Sequence, residues 1–209
     1  MENLSFKKKL YNVVDLTYKS HPKHNRIMQF RVLYGKKSRK SFGAKYLTND
    51  KTIVVNLDGI NYEDLLMSVL IHEVSHHIQT VLTGSSHHDK KFREIQEALL
   101  FTAMDKKYIS PHKLILCYKY LSEYSERNKV IKMLTEYIKI KHIKKDVWLL
   151  AYYNVPYNKE LIENYFKKEG FKFCKFKVTE NATVWYKFSP NRLLINKGAI
   201  ANGGVIVNE

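Results

Sequence analysis

Between residues 62 and 83 the chain runs without a Pro or a Gly, and its apolar residues fall at helical spacing: Leu66, Val69, Leu70, Val74, Ile78, Val81 and Leu82. This pattern predicts one long amphipathic helix. Asn61 stands where an N-cap is expected, and Glu63 and Asp64 place negative charge in the first turn, where the helix dipole favours it. Thr83-Gly84-Ser85-Ser86 then supplies a stop, with Gly84 near the position that takes a left-handed conformation. Whatever lies between residues 70 and 78 is therefore mid-helix, on an element rigid enough to fix side chains in space.

What lies there is His72-Glu73-Val74-Ser75-His76. Positions i and i+4 share a helix face, so His72 and His76 can offer imidazole nitrogens to one ion. Glu73, the next residue round, is placed to hold a water against that ion rather than to bind it. Two helical histidines, a third ligand from elsewhere and an open fourth position make up the zinc-hydrolase arrangement. The spacing His-Glu-x-x-His-x-x-Gly-x-x-His does not apply, because Gln79 and Leu82 stand where Gly and His are needed. Candidates for the third ligand are His88, His87, Glu94 and Glu97. The two histidines follow the Gly84 turn, where the chain reverses, and the glutamates lie near the downstream distance at which a carboxylate ligand is found. His88 opens a second amphipathic helix with Phe92, Ile95, Leu99 and Leu100 on its core face. His77 points roughly 100° away from His76 and reads as a helix-surface or core-edge residue.

The stretch 52–92 resembles the SprT-like zinc metallopeptidases, the family of the Spartan-type proteases of DNA–protein crosslink repair. That family carries a strand, a His-Glu-x-x-His helix, a turn and a His-Gly-x-x-Trp/Phe segment; here the strand is 52–57 and the last segment is His88-Asp89-Lys90-Lys91-Phe92. The resemblance implies Zn²⁺ bound by His72, His76 and His88, with Glu73 as catalytic base. Asp89 departs from the family's usual Gly, and would strain the loop if that position needs a positive φ. A four-cysteine zinc ribbon, present in many members, is ruled out by a chain with only Cys117 and Cys174.

The expected fold is α+β. A helix over 4–18, strands over 26–34, 41–47 and 52–57, and the two helices of the motif match a zincin-like core, in which a small sheet backs the metal-bearing helix. Helices follow over 89–107, 111–124 and 126–141. A small C-terminal module reads as a strand (147–153), a helix (158–169) ended by Gly170, and a hairpin (171–178 and 183–188) turning at 180–182. The organisation expected is a metallopeptidase core over 1–109, a helical connection over 110–146, an α/β module over 147–190 and a Gly-containing tail over 191–209.

Net charge is +16. It is spread along the chain: residues 1–109 contribute 18 − 11 = +7 and residues 110–209 contribute 18 − 9 = +9. The densest run, with Lys36, Lys37, Arg39, Lys40 and Lys45, contains no acid and has aromatics at its edges, which suits phosphate contact and base stacking. Against this, Lys outnumbers Arg 30 to 6, a bias that AT-rich coding alone produces. Two cysteines 57 positions apart form no disulfide framework and read as core residues. Residues 1–9 lack the apolar segment of a secretory signal, and no hydrophobic run is long enough to span a bilayer. The expectation is a protein kept in the cytoplasm or carried within a larger assembly.

The reading that follows is a zinc-dependent endopeptidase acting on a protein substrate, with DNA or another polyanionic surface as partner. Two other readings stand beside it. One is a regulatory metalloprotease directed at a specific protein partner. The other is a structural or assembly protein, of viral type for example, on a zincin scaffold, with an assembly partner that orders the tail.

Overall fold

A computed structural model describes residues 2–35, 44–56, 62–120, 125–144, 147–153, 162–175 and 183–189. These residues form a mixed α+β protein with six α-helices and two three-stranded sheets. The chain divides into two compact units, Met1–Ser110 and Pro111–Glu209.

In the first unit, helix α1 (Glu2–Tyr18) buries Phe6, Leu10, Val13 and Val14 along one face. The strand expected over 26–34 is shorter than its alternation suggests. Residues His24–Ile27 form a short helix, α2, and β1 begins at Arg31. Local bonds draw this segment into a helical turn: the Lys23 N–H donates to His21 Nδ1, and Asp15 pairs with His24 at 2.9 Å. β1 (Arg31–Gly35) pairs in parallel with β3 (Thr52–Asn56), and β2 (Ala44–Leu47) pairs antiparallel with β3, giving the order β1-β3-β2. Val32, Tyr46, Ile53 and Val55 are buried, while Leu33 is 55% exposed, so one sheet face is packed and the other is open.

Helix α3 (Glu63–Thr83) is the centre of this unit. It packs against α1, α2, β2, β3 and the following helix α4 (Lys90–Asp105). Its buried residues therefore exceed the apolar stripe: from Leu65 to Gln79 only Val69 and His76 retain intermediate exposure. The N-cap is Tyr62, without a side-chain cap; Asn61 lies outside the described residues. The acidic first turn is used differently from a pure dipole effect, since Asp64 Oδ1 accepts the Ser110 N–H at 2.8 Å. Gly84 ends the helix with φ 76°, a left-handed conformation that only Gly adopts without cost. Helix α4 starts at an Asp89 cap and buries Phe92, Ile95, Leu99 and Leu100 as its spacing predicts, together with Gln96.

In the second unit, α5 (Pro111–Tyr120) buries Leu114, Cys117 and Tyr118, and α6 (Arg127–Ile140) buries Val130, Met133, Leu134 and Tyr137. The helices over 111–140 thus fall within this unit. β4 (Trp148–Tyr153), β5 (Lys172–Lys175) and β6 (Thr183–Ser189) form an antiparallel sheet in the order β4-β6-β5. The helix expected over 158–169 is, in its described part, a π-helical segment, Ile162–Lys167, followed by Gly170 at φ 75°. Phe166 stacks on Trp185 at 5.1 Å between ring centroids and meets Phe171 edge-on, which anchors that segment to β6. The turn at 180–182, the tail 191–209 and the basic residues Lys36, Lys37, Arg39 and Lys40 lie outside the described residues. Among the described residues, no helix is long and apolar enough to cross a membrane.

Candidate metal centre

Helix periodicity sets His72 and His76 one turn apart on α3, and their rings meet at 4.9 Å between centroids. After Gly84 the chain turns back along the helix and brings His88 over them, with ring centroids 4.9 Å from His72 and 4.8 Å from His76. One nitrogen from each of the three lies within 4.8 Å of the others, so the group could hold a metal ion. His72 Nε2 and His88 Nε2 are 3.1 Å apart. Two nitrogens bound to one tetrahedral zinc at its usual bond length sit about 3.3 Å apart, so the spacing of this pair is compatible with that ion. Burial falls from His72 through the half-buried His76 to the exposed His88, which leaves one side of the cluster open to solvent.

The other ring nitrogens face partners. His72 Nδ1 lies 3.3 Å from the Gln96 amide, and His76 Nδ1 lies 3.2 Å from Ser86 Oγ. A metal-binding imidazole donates its second N–H to fix ring orientation and tautomer; Ser86 Oγ can accept it as placed, and the Gln96 amide, whose Nε2 faces His72, can do so with its oxygen turned to Nδ1. Phe92, 1% exposed, sits under all three rings at 4.4–5.0 Å between centroids. Burial, with the neighbouring His76 and His88 adding to it, lowers the pKa of His72 to about 3. Burial, with His88 and His87 close by, lowers that of His76 to about 4. Both imidazoles are therefore neutral at pH 7, the form in which a lone pair is free for a metal.

Glu73 points from α3 toward the sheet, and its Oε2 accepts the Tyr46 N–H from β2 at 2.7 Å. Burial raises its pKa to about 7, against the opposing pull of that hydrogen bond and of the Lys45 charge. A carboxyl poised there can both take and return a proton near neutral pH.

The other candidates fall elsewhere. His87 is exposed, and its backbone N–H donates to Gln79 Oε1 at 3.0 Å. Glu94 is exposed and pairs with Lys91 at 3.2 Å, and Glu97 lies half-buried on α4 outside the cluster. Lys45 is exposed on β2. The expectation for His77 is corrected: it is wholly buried. Its Nε2–H donates to the Ile27 carbonyl at 3.0 Å, which leaves Nδ1 to accept from the Tyr46 hydroxyl, also at 3.0 Å. Burial lowers its pKa. The strain considered for Asp89 does not arise, because its φ is −83° and its side chain caps α4 by accepting the Phe92 N–H.

Sequence reasoning passed over Gln79, Ser86, Gln96 and Tyr46. The available signal was a glutamine on the buried side of each helix: Gln79 is seven residues after His72, and Gln96 is one after Ile95.

No curated protein and no solved structure matches the chain. The sequence model of the SprT-like family matches residues 8–113, just over half of the chain and all of the histidine cluster. With that match extending from within α1 through α4, the chain belongs to the SprT-like family.

Proposed function

We propose that this chain is a zinc-dependent endopeptidase with a zincin-type core. The observation that carries the reading is the pairing of three convergent imidazoles with a buried carboxyl, Glu73, on the same helix. His72, His76 and His88 hold the ion. When bound, zinc supplies a Lewis acid for a scissile carbonyl and lowers the pKa of water. Glu73 takes the proton from the attacking water as its oxygen adds to the carbonyl carbon. It then delivers that proton to the nitrogen as the C–N bond breaks. The Tyr46 N–H keeps one carboxylate oxygen in place through this cycle, so the carboxylate enters the reaction already oriented.

Metal analysis of the purified protein should find about one zinc per chain, lost in His72→Ala. Glu73→Gln should keep the zinc and lose hydrolysis of an unfolded protein substrate by roughly two or more orders of magnitude. Equal cleavage by wild type and Glu73→Gln removes Glu73 as the base. Zinc binding without any cleavage turns the reading to a scaffold.

The substrate we propose is a protein held on a polyanion, DNA in the first instance. This rests on the +16 charge and on an exposed lysine, Lys45, on the strand that holds Glu73. Affinity for single-stranded DNA should fall steeply with salt, and neutralising Lys36, Lys37, Arg39 and Lys40 together should flatten the slope by a few units. An unchanged slope sinks the nucleic-acid part and leaves a protease directed at a protein partner.

A further inference from the structure

Gln79 is wholly buried and stands three residues after His76, on the face of α3 that the returning loop covers. Both ends of its amide are used, and both reach the residues that flank His88. Oε1 accepts the His87 N–H at 3.0 Å, and Nε2 donates to Asp89 Oδ1 at 2.8 Å. The same Asp89 oxygen accepts the Phe92 N–H at 2.9 Å, so one carboxylate joins the loop, the start of α4 and the core of α3. His88 itself has an exposed side chain on a segment between a left-handed glycine and a helix cap, where packing alone would hold it loosely.

We infer that Gln79 and Asp89 form a clamp that positions His88 for the metal. This rests on the reading of His88 as a ligand. A glycine at position 89 could neither accept from Gln79 nor cap α4 through a side chain. A buried amide gripping the backbone on one side of the ligand and a carboxylate on the other restrains the backbone from which His88 projects. Gln79 is then a positioning residue: it touches neither the ion nor the substrate, and its effect passes wholly through His88.

The test is zinc affinity of the full chain, by competition with a chromophoric chelator, together with the visible absorption of the cobalt(II)-substituted protein. Gln79→Leu should weaken zinc binding about 10–100-fold, as loss of supporting hydrogen bonds around a ligand does. It should also alter the cobalt spectrum. In a His88→Ala background the same substitution should cost nothing further, because the ligand it positions is gone. Gln79→Glu sets two carboxylates against each other and should also weaken binding. Adding Asp89→Asn should restore part of the loss, since it removes the repulsion between the two carboxylates while its oxygen can still cap α4. Far-UV circular dichroism checks folding; if Gln79→Leu does not fold, the comparison of Gln79→Glu with Gln79→Glu/Asp89→Asn decides.

Wild-type affinity in Gln79→Leu overturns the proposal. So does an equal loss in the His88→Ala background, which would mean a general effect on the helix, or a double variant no better than Gln79→Glu. Should His88→Ala itself bind zinc as tightly as wild type, the ligand reading has failed, and the clamp falls with it.

Discussion

His77 allows a direct test of how the sheet and the histidine-bearing helix α3 are held together. Replacing it by Leu keeps a similar volume but deletes both ring nitrogens from a wholly buried site. The Ile27 carbonyl then loses its donor, and an unsatisfied buried backbone group costs about 1–3 kcal/mol. The hydrogen bond from the Tyr46 hydroxyl is also lost, worth about 1 kcal/mol net. Together the loss should be about 2–4 kcal/mol, a large part of the roughly 5–15 kcal/mol that holds a domain folded. Tyr46→Phe leaves the Ile27 bond intact and should cost only about 1 kcal/mol, with a coupling of similar size between the two substitutions. Because the Tyr46 N–H holds Glu73, hydrogen exchange at the amides of β2 and α3 in the metal-free protein is the informative assay. Both elements should exchange faster in His77→Leu, and the urea midpoint should drop by about 1–2 M for a slope typical of a small domain. A change under about 0.5 kcal/mol, the size of an ordinary surface substitution, would refute the bridging role given to this side chain.

Two further outcomes follow from the same network. Gln96→Leu should lower zinc affinity about 10–100-fold by freeing the His72 ring, while Gln96→Glu, which puts a carboxylate acceptor where the Gln96 Nε2 faces Nδ1, should retain or raise it; equal affinities in all three proteins would mean that Gln96 only packs. Burial raises the Tyr18 pKa to about 12, so the unfolded chain, with the ordinary value of 10.0, releases that proton first; stability is complete below pH 10 and is lost as pH rises from 10 toward 12. Tyr18→Phe should flatten that loss in urea titrations at successive pH values, and an unchanged alkaline slope would show that other groups control it.

The long helix and its two histidines were legible because they depend on local rules: no breaker between 62 and 83, a glycine stop and a four-residue repeat. His88 was harder to separate from His87, because which of two adjacent imidazoles turns inward depends on the loop's path, and Gln79 sets that path from across the turn. His77 was misplaced for a similar reason. A helical wheel shows that it leaves the face of His76, but not that β2 and α2 cover the side it turns to. The short helix α2 was hidden by an alternating sequence, because the bonds that curl it come from His21 and Asp15. The +16 charge constrained least, since lysine-rich composition has several causes and the densest basic run falls on residues 36–43, outside the described part of the chain.

All three imidazoles come from the seventeen residues between His72 and His88. Closing so short a loop costs little chain entropy, and the helix that carries two of the three supplies most of the order required. The carboxyl beside them depends on a different part of the chain, since the Tyr46 N–H that holds Glu73 sits 27 residues upstream on a strand, and that strand must first pair with β3. On the proposed function, ion capture and proton handling thus have different contact orders within one site. During refolding with zinc present, the metal-bound absorbance of a cobalt reporter should develop ahead of peptidase activity, and the lag between them should measure the docking of β2.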